Sequence, residues 1–263
     1  MKIIDAHAHI FPPKISEKAV KSIGDFYEIS MTSDKGTSEA LIESGKQIGV
    51  EKYLVFSTAT KPEQVESIDR FIISECEKHS EFLGLGTMFI GYKDFEKEIK
   101  FLKDNNIKGI KLHPDFQHFA FDDKELYPIF ECLKENNMFV LTHSGDKRYK
   151  FSNPDKIARV AQDFPGLKII AAHFGGWSEW EAAKKLPKLE NLYFDTSSTL
   201  GMGGKETAIK IFDKFDKTHF FFGTDFPMWG HKDEFERFME LKLSDKVRED
   251  ILYNNFAKFY GLF

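Results

Sequence analysis

The chain predicts an α/β protein, a (β/α)8 barrel forming one domain over residues 1–263. Three observations lead there. Short runs of β character alternate with helical runs from one end of the chain to the other, the pattern of a parallel sheet with helices outside. Eight such units fit into 263 residues, a normal length for an α/β barrel. Histidine and aspartate gather at the C-terminal ends of the strand-like runs, where barrels of this kind build their sites.

The first strand is Lys2 to His9, where side chains alternate, so His7 and His9 face one way with Asp5 further back. Residues 14–35 have weak periodicity and are expected to wander irregularly over the barrel mouth. Thr37-Ser38-Glu39 starts a helix with Ala40, Leu41, Ile48 and Val50 as its apolar positions. Tyr53–Phe56 is the second strand, and Val65, Ile68, Ile72 and Cys76 mark a helix over 63–79. Phe82–Met88 is the third strand, followed by a helix over 95–105. Gly109–Pro114 is the fourth strand, ended by proline, which cannot donate to a ladder. A helix over 123–136 leads to the fifth, Met138–His143. Asn153-Pro154 opens the next helix as N-cap and first-turn proline, before the sixth strand, Lys168–His173. A helix over 177–186 precedes the seventh, Leu192–Thr196. A glycine-rich loop, Gly201–Gly204, leads to a helix ending near Phe215. His219–Asp225 is the eighth strand, and helices over 232–241 and 245–260 close the chain, the last capped by Ser244. The whole is TIM-barrel architecture without a linker-like break.

Composition narrows the partners. A hydrophobic fraction of 41% and a charged fraction of 30% are those of a soluble globular protein, and 28 phenylalanines predict a Phe-rich core. The net charge of −5 does not favour a nucleic acid or an anionic membrane as the main partner, and the small-molecule substrate expected below comes from the resemblance. No signal peptide and no membrane-length apolar run is seen, and Cys76 and Cys132 read as small reduced core residues, so a cytoplasmic location is expected.

The strand ends carry His7 and His9, Lys111 and His113, His143, His173, Asp195 and Asp225. Such clustering of His and Asp is a metal-site signature, and it rests on the set rather than on any one motif. His79 ends a helix, and His219 begins a strand at the opposite end of the barrel. His118 and His231 lie in loops on the active face and read as surface residues.

With these residues in view the chain resembles the amidohydrolase superfamily, in particular the branch containing aminocarboxymuconate-semialdehyde decarboxylase and many metal-dependent hydrolases. The resemblance runs through Asp5-Ala6-His7-Ala8-His9, Gly109 to Pro114, Thr142-His143-Ser144-Gly145, Ala172-His173-Phe174-Gly175-Gly176, Gly223-Thr224-Asp225-Phe226-Pro227 and the final helix around Asn254-Asn255. It implies His7, His9, His143 and Asp225 as ligands of one divalent ion, Zn²⁺ first, with Mn²⁺ or Fe²⁺ also admitted by imidazole and carboxylate. A second ion is implied only if Lys111 is carboxylated; the alternative is a buried lysine paired with Asp195 or Asp225. Asp225 and His173 are implied as catalytic: Asp225 moves the proton as a metal-bound hydroxide attacks, and His173 stabilises charge on the substrate oxygen. His113, Arg148 and Trp177, with Trp229, are expected pocket residues. Arg148 suits a substrate carboxylate as a bidentate donor, or else is a solvated loop charge beside Lys147 and Lys150.

The expected activity is hydrolysis of an amide, ester or lactone bond in a small carboxylated molecule. A decarboxylase (a lyase) on the same site is the alternative, disfavoured by the compact chain. A metal-dependent deoxyribonuclease is a further one, disfavoured by the missing fourth-strand glutamate. The sequence does not give the oligomeric state; the resemblance admits a homodimer, since dimers are common among relatives.

Overall fold

The computed structural model describes residues 1–263. Its strands are β1 (Ile3–His9), β2 (Val50–Phe56), β3 (Phe82–Gly84, continued by Gly86–Thr87), β4 (Gly109–Leu112), β5 (Phe139–Thr142), β6 (Ile169–Ala171), β7 (Leu192–Asp195) and β8 (Phe220–Phe221). All neighbouring pairs are parallel and in chain order. The two pieces of β3 are parted by Leu85 alone, whose N–H still donates to Val55 O. The ring returns to its start through backbone hydrogen bonds: Ala6 N to Phe222 O, Asp225 N to His7 O and His9 N to Phe226 O.

Two apolar layers hold the ring. The larger cluster, 50 buried residues, lies between strands and surrounding helices. The smaller, of 13 residues, includes Ile4, Leu54, Phe56, Leu141, Ile170 and Phe221 with the last helix, Asn255–Tyr260. Phe56 packs edge-on under His7 and His9, at 5.1 and 4.7 Å between centroids, which places this cluster inside the barrel beneath the site. No helix is long and apolar enough to cross a membrane. Cys76 and Cys132 are free thiols packed against the larger cluster.

The helices depart from expectation in three places. Residues 14–35 are irregular only from Glu28 on: Pro13–Tyr27 is a helix, here α1. Its buried stripe is Ser16, Val20, Gly24 and Tyr27, so serine and glycine stand where an apolar period would have shown. The helix expected over 177–186 is a single turn, Trp180–Ala183. The expected glycine loop is helical instead, with Thr199–Met202 followed by Gly204–Lys214. Elsewhere the capping reads as expected: Thr37 accepts from Ala40 N, and Ser244 from Val247 N. Asn153 precedes Pro154 as foreseen but makes no cap bond, and its Nδ2 donates to Glu179. The helix Val65–Lys78 is labelled α2 below.

Candidate metal centre at the barrel mouth

The strand-end residues converge as the alternation demands, and all are buried. His7 Nε2 and His9 Nε2 each lie 3.3 Å from the same oxygen, Asp225 Oδ1. Two ligands about 2.1 Å from one tetrahedral ion are separated by roughly 3.4 Å, so these three atoms have the spacing of a shared metal. His7, His173 and Asp225 also form a set whose ligand atoms lie within 4.8 Å of one another.

Tautomers follow from the partners. His7 Nδ1 is 2.8 Å from Asp195 Oδ2, so the proton sits on Nδ1 and Nε2 presents its lone pair inward. Asp195 Oδ1 accepts from His173 N, Ser197 N and Ser197 Oγ. With its hydroxyl proton committed to Asp195, Ser197 Oγ accepts from His173 Nδ1 at 2.8 Å. His173 therefore turns an unprotonated Nε2 toward His143 Nδ1, 3.1 Å away. The neutral ring offers a lone pair at Nε2, and it donates to a substrate oxygen only after gaining a proton.

Charge is arranged in the same sense. Burial would raise the Asp225 carboxyl, but His7, His9 and His173 hold it well below the usual carboxylate range. Burial and Lys111 oppose protonation of His7, yet Asp195 and Asp225 outweigh them and raise its pKa. Burial lowers both His9 and His173 to about 4, so these rings are neutral and able to bind a cation. On the far side Ser198 Oγ donates to Asp225 Oδ2 at 2.6 Å and accepts from Trp229 Nε1 at 3.0 Å. His173, Phe174, Ser198 and Asp225 all have positive φ, between 54° and 63°. Backbone strain of about 1–3 kcal/mol per residue is characteristic of functional sites.

Several expected roles change. His143 does not fall with the His7–His173–Asp225 atoms; one of its ring nitrogens groups instead with Asp115 and Asp146, and Asp115 Oδ2 lies 3.8 Å from its Nε2. Its link to the centre is the contact of its Nδ1 with His173. Lys111 pairs with neither aspartate. Its Nζ is 3.4 Å from His7 Nε2 and lies over the Phe56 ring, and burial pushes its pKa down to about 8. His113 has both nitrogens engaged: Nδ1 accepts from Phe116 N, and Nε2 donates to Tyr27 Oη at 2.8 Å. Arg148 binds Asp146 through Nε and Nη2 and Phe26 O through Nη1, so its fork is already filled. Trp177 is buried against Tyr27, at 4.7 Å between centroids. Neither Arg148 nor Trp177 lines the centre or the cavity next to it.

Asp5 and His231 were also misplaced from sequence. The β1–β2 register shifts between Asp5 and Ala8, which breaks simple alternation. Asp5 turns to accept from His7 N, Thr224 N and Thr224 Oγ1. His231 is fully buried, with Nε2 3.0 Å from Asp5 Oδ2 and Nδ1 2.8 Å from Ser44 Oγ. His118 is exposed, as expected, and His219 ends the turn before β8, where its Nδ1 bonds Leu192 O.

The space around the histidines is only about 10 Å³, covered by Ile23, Tyr27, Met31 and Phe116. A cavity of about 710 Å³ adjoins it and shares His9, Ile23 and Phe116 as walls. Gly145, at φ 81°, lets the β5 loop pass against Gly176, where a Cβ would lie 2.7 Å from Gly176 Cα.

Comparison with known proteins agrees with this fold. The amidohydrolase family model matches residues 4–262. No protein of curated function matches in sequence. An uncharacterised TIM-barrel protein from Bordetella bronchiseptica superposes with a TM-score of 0.78 at 19% identity, covering 99% of each chain. A dihydroxybenzoic acid decarboxylase from a Polaromonas species, with bound manganese, gives 0.76 at 15%, covering 99% of this chain and 97% of its own. A protein described as a 2-pyrone-4,6-dicarboxylic acid hydrolase from Pseudomonas putida gives 0.69 at 14%, covering 98% and 97%.

Proposed function

The chain belongs to the amidohydrolase family, and from that premise we propose that it is a metal-dependent hydrolase of amide, ester or lactone bonds. The observation that carries the proposal is the pair of imidazole nitrogens sharing Asp225 Oδ1, each at 3.3 Å. The donor set fits a divalent cation: two imidazoles turned inward at Nε2 and one carboxylate. His7, His9 and Asp225 would hold the ion, and His143, expected as the fourth ligand, would reach it only by giving up the contact of its Nδ1 with His173. Zinc suits imidazole and carboxylate, and manganese suits them also. When bound, the ion supplies a Lewis acid and a water acidified toward neutrality.

The chain's own groups do the rest. Asp225 Oδ2, held by Ser198, is the base that takes the proton and returns it to the leaving group. His173, fixed at Nδ1 by Ser197, donates to the developing oxyanion from Nε2 once it has taken up a proton from solvent with the incoming substrate. The Ser198–Trp229 relay keeps the Asp225 carboxylate from rotating.

Decarboxylation on the same residues is the second reading, favoured by the likeness to a dihydroxybenzoic acid decarboxylase. That chain is covered to 97%, so compactness does not separate the two reactions. The test is a panel of lactones, aryl esters, amides and aromatic acids, offered to zinc- or manganese-loaded protein with acid and CO2 measured separately. Metal-dependent acid release is expected, with Asp225→Asn lowering kcat by about 10²–10⁴-fold. CO2 release without acid from any ester or lactone would replace the hydrolase reading by the lyase.

A further inference from the structure

The cavity of about 710 Å³ next to the metal centre lies between two helices with unpaired second faces. On α1 its lining falls at residues 15, 18, 19, 22, 23 and 26, one helical face, distinct from the buried stripe of Ser16, Val20 and Gly24. On α2 and the turn before it, the lining is Gln64, Ser67, Ile68 and Phe71, beside the buried Val65 and Ile72. The floor is the end of β1 and β2: His9, Ser57 and Thr58. Thr58 Oγ1 is buried there without a partner. Ile15 remains 49% exposed although it faces the other helix across the gap.

We infer that this cavity holds the body of the substrate, and that the body is elongated and apolar with a carboxylate at its far end bound by Lys18. The inference rests on the proposed function only in placing the reacting group beside His9. Continuity supports it, since His9, Ile23 and Phe116 wall both spaces. Volume supports it, since about 300–1,000 Å³ is the usual size of a small-molecule pocket. Chemistry supports it as well. Phe11, Phe26, Phe71 and Phe116 offer aromatic faces, and Lys18 is the one Asp, Glu, Lys or Arg in the lining. Lys21 is paired with Asp25, whereas Lys18 has no acidic partner. Lys18 stands five residues from Ile23, about 8 Å along the helix. That spacing selects an aryl- or alkyl-carboxylate over a compact diacid, and the task once expected of Arg148 passes to Lys18.

Calorimetric titration of the zinc-loaded, full-length protein with 5-phenylvalerate and with neutral 5-phenylpentanol tests this without requiring turnover. The acid should bind more tightly than the alcohol. Lys18→Glu should weaken the acid at least fivefold and the alcohol less than twofold, with Lys18→Gln intermediate. Ala19→Trp, which fills the cavity, should weaken both at least fivefold, with Ser22→Phe as a second filler. Thermal melts confirm that each variant is folded. Equal affinity for acid and alcohol overturns the inference, as does an acid untouched by Lys18→Glu (a carboxylate bound at the metal instead) or insensitivity to both fillers. Failure to hydrolyse any ester or lactone counts against the proposed reaction alone; failure to bind either probe counts against this inference alone.

Discussion

The Asp195 carboxylate decides which nitrogen of His7 faces the centre. It accepts from His7 Nδ1 through one oxygen and anchors His173 N and Ser197 through the other. In Asp195→Asn the amide oxygen can keep the backbone contacts, but the amide NH2 then meets His7 Nδ1. His7 must move its proton to Nε2, which removes a ligand lone pair. The expected result is a 10–100-fold loss of zinc affinity with the fold retained, read by competition with a chromogenic chelator; unchanged affinity would show that Asp195 does not set the tautomer. His7, His9, His173 and Asp225 were legible in the sequence because strand ends are defined by short local patterns. Ser197, Ser198 and the true places of Arg148 and His231 were not, since each depends on loops that no period describes. Asp195 was legible as a strand-end acid, but not as the partner of His7.

Helix α1 shows the same limit one scale up. Its core stripe uses serine and glycine, so hydrophobic periodicity misses it, yet it covers the metal centre with Ile23 and Tyr27 and walls the neighbouring cavity. The helix His231–Met239 carries a different burden. Glu234 is 1% exposed, and burial, opposed by Arg237, raises its pKa from 4.5 to about 7. A folded value above the unfolded one means that the contribution to stability is full below pH 4.5 and is lost as pH rises through about 7. The size is about 3 kcal/mol. Wild-type stability relative to Glu234→Gln should therefore fall by about that amount between pH 4.5 and 7.5, measured by urea denaturation. A pH-independent difference would show that Glu234 is ionised in the folded protein.

At the scale of the molecule, the barrel brings β1 and β8 together across more than two hundred residues, through Ala6–Phe222, His7–Asp225 and His9–Phe226. Metal bound between them links the first strand to the end of the last, so binding should favour the closed ring. Zinc at one hundred times its dissociation constant should stabilise the protein by about 2.7 kcal/mol against urea, and chelation should reverse the gain. Coincident unfolding curves with and without zinc would show that the ion does not bridge these strands. The sequence by itself determined the eight-strand alternation, the barrel and the identity of the strand-end residues, because side-chain period and strand-ending prolines and glycines are local properties. Only the tertiary structure decided that His173 presents a lone pair, that Arg148 and His113 are already engaged, and that the open cavity lies between α1 and α2. Those outcomes depend on which loops meet above the barrel, and hydrogen-bond partners far apart in the chain are fixed only by packing.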